Sequence, residues 1–446
     1  ARLIVQLIQS GEEGHAWANQ YDRDWADIFS VESEVAQIVA GELQAVITPV
    51  EKQRIEKPPT TDLTAYDYYM RGMDELRNNN NQRAEELFKD ALRYDPTYAE
   101  AYVQLGAIYT NRAISQDYLS NSFQDTAMIL ADIALSYDKE LSLAHVLKGS
   151  IFQMTGELDQ AILEFEKAVE INPNDWISHS QIGGFYIFTE FVKSIESFHK
   201  ALDLCELNYR PGILWNLGMA YFWAGFMDRC YDYFGQALEL DGDSVYYYSI
   251  LANYEFLLGN YSQTIEHCQA ALEIDSSVMA LFYLGRSYCL TGRLNESLKY
   301  MKSALETVPE EQRLQGFFLN RYHRVAYTFW KNGLEEEAEH YFDQFVEYQL
   351  DLIKMERPHS QSSLTYYDLA GVYAFRGETD KALENLRIFN QMKIFPYWMA
   401  EFIKWDELFD PIRDEPEFQQ IVRDVEAKYQ AEHERVRQWV EENEML

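Results

Sequence analysis

Residues able to do chemistry are scattered along this 446-residue chain, and their spacing decides what they can assemble. His433-Glu434 opens a helical zinc-hydrolase pattern, but no second histidine closes it, so no pair of ring nitrogens shares a helix face. Asp241-Gly242-Asp243 begins like a calcium loop and lacks the later oxygen ligands and the turn glycine. Cys205, Cys230, Cys268 and Cys289 include no C-x-x-C pair, and His267 beside Cys268 or His199 near Cys205 has no third ligand in reach of the spacing. Phosphate loops and nucleophile elbows are missing from the sequence, and Glu335-Glu336-Glu337 reads as a solvated helix face. No catalytic residue, metal or cofactor is expected. Two guanidinium groups, Arg286 and Arg324, remain as a candidate anion site in a chain otherwise rich in acid, because a planar fork favours bidentate carboxylate contact.

The elements that would position those arginines come from a repeat. A small residue recurs at Gly72, Gly106, Gly149, Gly183, Gly218, Ala252, Gly285, Ala326 and Ala370, at intervals of 33 to 44 residues. Downstream of each comes a small, large, small set at helical spacing, such as Ala84, Phe88, Ala91 and Ala161, Phe165, Ala168, and Pro96, Pro173 and Pro309 close three of the units. The small residue lets a second helix cross closely, and the large one fills the groove beside it. No such pair buries its apolar face alone, so the stack itself is the core.

The pattern resembles the tetratricopeptide repeat family, with Leu284-Gly285, Tyr288, Gly292, Ser297, Met301, Ala304 and Pro309 as the cleanest copy. The resemblance covers about Ala65 to Phe389. It implies an all-α, right-handed superhelix of about nine helix pairs, in which the first helix of each pair lines a concave surface. On that basis the groove consists of Trp215, Met219, Phe222, Tyr246, Asn253, Phe256, Phe282, Arg286, His323, Arg324, Tyr327, Trp330 and Tyr367. Aromatic anchors of this kind suit an extended peptide or a short helix, with Arg286 and Arg324 fixing an acidic group. Asn253 and Arg324 also fall on two positions of a carboxylate clamp known in the family, where Ser249, Tyr283 and Asn320 replace the rest. A small molecule or lipid in the same cavity is the alternative. A competing expectation is that Phe395 to Phe418, dense in aromatics that need burial, folds back and fills the groove.

The ends differ from the repeats. Leu3 to Ile8 and His15 to Tyr21 read as a β-hairpin, followed by a helix capped by Asp27, so residues 1–50 form a small β-hairpin plus helix, 51–64 a linker, 65–394 the repeats, and 395–446 a closing segment with a polar capping helix. Residues 1–50 resemble the end of a TolB/FlgO-type domain, on Leu7-Ile8, His15-Ala16-Trp17, Tyr21-Asp22-Arg23 and Asp27-Ile28-Phe29, which implies a missing upstream half and a bacterial signalling or regulatory setting. Exposed strand edges leave a homodimer through the hairpin open. With 38 Lys and Arg against 73 Asp and Glu, the net charge of −35 disfavours nucleic acid and anionic lipid as partners, and Pro211 to Met227, the longest uncharged run, is too short to span a membrane. Free thiols favour a reducing compartment, cytoplasmic over periplasmic. A non-enzymatic scaffold for a protein or peptide partner is the resulting expectation.

Overall fold

The computed structural model describes residues 2–8, 15–22, 27–42, 49–115, 122–187, 189–309, 318, 321–354 and 363–443. The chain divides into two compact units, residues 1–108 with 129–141, and residues 109–128 with 142–446.

In the first unit β1 (Arg2–Ile8) and β2 (His15–Asp22) pair antiparallel with Leu3 opposite Tyr21 and an irregularity between Leu7 and Ile8. The connecting residues 9–14, expected as a turn, lie outside the described residues. Helix α1 (Ile28–Glu42) is tied to α3 (Leu63–Arg77) by an edge-to-face contact of Phe29 with Tyr66 at 4.8 Å, and the Tyr66 hydroxyl donates to Glu32 at 2.6 Å. A short helix, α2 (Pro49–Glu56), occupies much of the segment expected as a linker. Pro49 fits a first helical turn, where its missing N–H costs nothing, and Pro58 disfavours helix in the residue before it. Asp62 caps α3 by accepting from the Thr64 and Ala65 amides, and α3 packs on α4 (Asn81–Tyr94) with Phe88 fully buried. An alanine Cβ at Gly72 would collide with the Phe88 ring, which is the close helix crossing anticipated from the small, large pairing.

Helix α5 (Ala99–Ser115) and α6 (Ser122–Tyr137) divide between the units, Tyr102 stacking on Tyr137 in the first. Residues 116–121, between α5 and α6, lie outside the described residues. Seven stacked pairs follow in the second unit. They are α7 (Ser142–Thr155) with α8 (Leu158–Ile171), α9 (Trp176–Tyr186) with α10 (Phe191–Leu204), α11 (Arg210–Ala224) with α12 (Met227–Asp241), and α13 (Ser244–Leu257) with α14 (Tyr261–Ile274). Then come α15 (Val278–Leu290) with α16 (Leu294–Glu306), α17 (Tyr322–Lys331) with α18 (Glu335–Lys354), and α19 (Ser363–Phe375) with α20 (Thr379–Phe389). Gly149, Gly183 and Gly218 meet Phe165, Phe198 and Phe234 as Gly72 meets Phe88, so the same steric rule is used at these four crossings.

After α20 the chain forms α21 (Tyr397–Phe402), a 3-10 turn over Glu407–Ile412, and α22 (Pro416–Glu442). The sequence suggested that α22 is polar on most faces and caps the stack. It instead buries Phe418, Ile421, Val425, Tyr429, Glu432, Val436 and Val440, one apolar stripe at three- to four-residue spacing broken only by Glu432. Apolar packing that begins at Ala252 in α13 continues through α19 and the closing segment to Tyr429 in α22, while Val436 and Val440 join a separate cluster with Ile187, Phe191 and Leu217. The closing segment is therefore core for the later repeats.

Candidate functional site

The anticipated groove residues separate into three groups. Phe222, Phe282 and His323 are buried by neighbouring repeats: Phe222 stacks on Tyr254 at 3.8 Å, Phe282 meets Phe318 edge-on at 6.1 Å, and His323 lies 4.3 Å from the Phe345 ring. Phe256, Arg286, Arg324 and Tyr367 are buried under the closing segment, and Tyr327 is buried beside Phe375. Trp215, Met219 and Asn253 stay partly exposed, and Tyr246 and Trp330 are exposed at 42 % and 40 %.

The closing segment brings its own acids to both arginines. Arg324 donates from Nη1 to Asp406 Oδ1 at 2.6 Å and from Nη2 to Asp406 Oδ2 at 2.7 Å, a two-pronged contact that also receives the Tyr367 hydroxyl at 2.8 Å. The Leu408 amide donates to Asp406 Oδ1 as well. Arg286 Nη2 stands 2.7 Å from Glu407 Oε1, and Arg324 Nη1 reaches the same oxygen at 3.5 Å. Asp406 is wholly buried, as are Leu408 and Phe409. Around the acids, Phe402 lies beneath the Arg324 guanidinium at 5.0 Å, Trp405 meets Phe256 at 6.0 Å, and Phe409 meets Tyr367 at 5.1 Å. An anion site at Arg286 and Arg324 thus exists, and its anions belong to this chain. That corrects the expectation of an open peptide groove at Phe256, Arg286, Arg324 and Tyr367. The physical reason is that an arginine pair removed from water must be matched by charge in the fold itself. Asn320, the remaining clamp position on this wall, lies outside the described residues.

Burial alone would raise the Asp406 carboxyl. The Arg324 charge, with hydrogen bonds from Arg324, Tyr367 and the Leu408 amide, outweighs it and holds Asp406 below the ordinary carboxylate value. Burial pushes the His323 imidazole below its ordinary value, so the ring is neutral between Asp368 and Arg324. Sequence reasoning missed Asp406 and Glu407. The signal that could have found them is an Asp-Glu pair inside a run of aromatics that has to be buried.

Elsewhere, Trp215 keeps an aromatic surface at the start of α11 and α13. It packs on Phe234 at 4.7 Å and edge-on against Tyr246 at 4.8 Å, and its indole N–H donates to Asp241 at 3.2 Å. Asp243 caps α13 through the Tyr246 amide, so Asp241 and Asp243 serve as turn and cap residues. In the first unit a cleft of about 630 Å³ is lined by Phe29, Ser33, Gln37, Glu56 and Thr60. Among the described residues, no three His, Cys, Asp or Glu side chains converge as a metal site, and no helix is long and apolar enough to cross a membrane.

Models of the tetratricopeptide repeat match residues 69–112 and 143–175. The chain carries tetratricopeptide repeats. Both matches lie outside residues 1–50 and lend no support to a TolB/FlgO-type remnant there. A putative adenylate cyclase 3 of Rhizobium meliloti (strain 1021) is 31 % identical over 118 residues, which cover 26 % of this chain and 20 % of that protein. The BBSome complex member BBS4 of Bos taurus is 28 % identical over 167 residues, covering 36 % of this chain and 28 % of that protein. The match therefore spans between a fifth and a third of the length of these curated relatives. Among solved structures, a tetratricopeptide repeat protein of Parabacteroides merdae superposes with a TM-score of 0.42 at 15 % identity, over 62 % of this chain and all of that one. Repeats of this family mediate protein–protein interaction on a fold that is generally a non-enzymatic scaffold.

Proposed function

We propose that this chain is a non-enzymatic interaction scaffold that takes a peptide or helix of a protein partner on the aromatic surface left outside the closing segment. The observation that carries this reading is Tyr246, 42 % exposed beside a half-buried Trp215, with Met219 and Asn253 on the same two first helices. Amphipathic rings held rigid by their own repeats supply contact area at low entropic cost, the usual composition of an interface anchor. The likeness of part of the chain to a putative adenylate cyclase supports a bacterial signalling or regulatory setting. A small molecule or lipid in the aromatic cavity has less to support it, because Trp405 to Phe409 already occupy the space between Phe256 and Tyr367. Neither the strand pair nor the relatives support a homodimer through residues 1–22, and the reading does not include one.

The experiment is capture of native-lysate proteins on wild type and on a Tyr246→Ser, Trp215→Phe double variant, identified by mass spectrometry, with thermal melting to show that both are folded. A partner retained by wild type and lost by the variant is the expected result. Equal capture by both sinks the aromatic surface as the contact.

A further inference from the structure

One edge of the second unit is occupied by the chain itself, and among the described residues the opposite edge at α10, α12 and α14 is not. The turns between first and second helices carry Gly225 and Gly259, both with positive φ. Tyr429 and His433 of α22 close on Gly225, where any Cβ would strike the Tyr429 hydroxyl, and Trp405 stands against Gly259. His433 Nδ1 lies 2.6 Å from the Ala224 carbonyl oxygen, and the Phe191 amide donates to Glu432 at 3.2 Å. The closing segment therefore follows the first-to-second-helix turns.

The other edge, where each second helix hands over to the next pair, shows a different regularity. Leu204, Leu240 and Ile274 stand three residues beyond the buried Ala201, Ala237 and Ala271, in the last turns of α10, α12 and α14. Equivalent register puts all three at the same end of parallel, stacked helices. They are 38 %, 47 % and 55 % exposed, a recurrence of large aliphatic surface at one helix register. Exposed acids flank each one: Asp203 and Glu206, Glu239 and Asp241, Glu273 and Asp275. Among the described residues none of these six carboxylates forms an ion pair, although Lys and Arg elsewhere on the surface pair repeatedly with acids three or four residues away. Lys200, the cation nearest Leu204 in sequence, pairs back with Glu196 at 3.1 Å, and Arg210 spends a guanidinium N–H on the Leu202 carbonyl at 3.0 Å.

We infer that this edge, Leu204, Leu240 and Ile274 with their flanking acids, is a docking surface for a basic protein segment in which Lys or Arg alternates with aliphatic residues. Charge complementarity selects that occupant: a second copy of this chain would bring −35 to an already acidic edge, whereas a cationic segment gains from unpaired carboxylates while its aliphatic groups cover the exposed Leu and Ile. The inference goes beyond the aromatic surface proposed above; Asp241, which holds the Trp215 indole, is left untouched, and substitutions at Leu204, Leu240, Ile274, Glu239 and Glu273 keep Trp215, Met219, Tyr246 and Asn253 in place, so the two readings fail separately.

The test titrates the full chain with a labelled peptide of repeated Lys-Leu-Ser-Lys units, read by fluorescence anisotropy. Wild type is expected to bind it, and a Leu204→Ser, Leu240→Ser, Ile274→Ser triple variant to bind about tenfold more weakly, with a Glu239→Gln, Glu273→Gln variant weakened as well. A matching peptide with Ser for Leu should bind poorly, which separates a built surface from general attraction to an acidic protein. Hydrogen exchange on wild type, independent of whether the variants fold, should show peptide-dependent protection at 200–206, 237–242 and 271–275, outside the Trp215 and Tyr246 surface. Equal binding by the Leu and Ser peptides, or protection confined to other segments, would overturn the inference. So would absence of binding, or protection that grows with chain concentration in the absence of peptide.

Discussion

Arg324 and Asp406 lie 82 positions apart and meet in a direct, buried contact. Breaking such a pair from one side leaves a buried charge without its partner, so Asp406→Asn is expected to lower stability by about 3–5 kcal/mol, while Arg324→Met with Asp406→Leu costs less than the single change. Urea unfolding of wild type and the two variants checks the order, and a single variant as stable as the double would contradict it. The same pair sets a pH dependence whose sign is fixed. Asp406 has a folded pKa below its ordinary 3.8, so its contribution is complete above that pH and is lost as pH falls through the lower folded value. His323, lowered from 6.5 by burial, stays neutral in the fold while the unfolded chain takes up a proton, so its contribution declines as pH falls below 6.5. Melting temperature should drop in two acid steps, the lower one shallower in Asp406→Asn. A flat profile from pH 7 to pH 5 would exclude His323, and one that stays flat well below pH 3.8 would exclude Asp406.

At the scale of elements, the helix pairs were readable and the destination of the tail was not. Phe88, Phe165, Phe198 and Phe234 each press on a glycine of the preceding helix, a contact within one repeat that a short window of sequence reveals. The hold of Asp406 on Arg324 links residues with four described helices between them, and no local period announces it. The stripe of α22 was legible in its spacing, Phe418, Ile421, Val425, Tyr429, Val436 and Val440, yet was hidden by the charges between. Trp215 and Tyr246 stayed at the surface, packed on each other and on Phe234, whereas Phe222, on the same helix as Trp215, turned into the next repeat. Helix α22 offers its own check. Val436→Asp places a charge in the buried seam shared with Ile187 and Phe191, and should speed hydrogen exchange at 187–202 and at 430–442 while leaving 279–290 unchanged. Acceleration at all three would mean that the closing segment and the repeats unfold only as one body.

For the molecule as a whole, a net charge of −35 on 446 residues acts on stability and on binding with opposite signs. Like charges repel across the folded surface, and exposed i,i+3 and i,i+4 pairs such as Arg77 with Asp74 and Lys200 with Glu196 return little of that. Screening by salt weakens the repulsion more than it weakens those pairs, because the repulsion is summed over many distances and the Debye length falls from about 30 Å at 0.01 M to about 8 Å at 0.15 M. Melting temperature is therefore expected to rise over that range of salt. A cationic segment docking beside Leu240 feels the same field as attraction, so the same change in salt should slow its association. Calorimetry and stopped-flow binding on one preparation measure the two responses together. If salt lowered both, the exposed ion pairs would outweigh the net charge in holding the fold. If salt left association untouched, the docking contact would be apolar, with the acids that flank it playing no part.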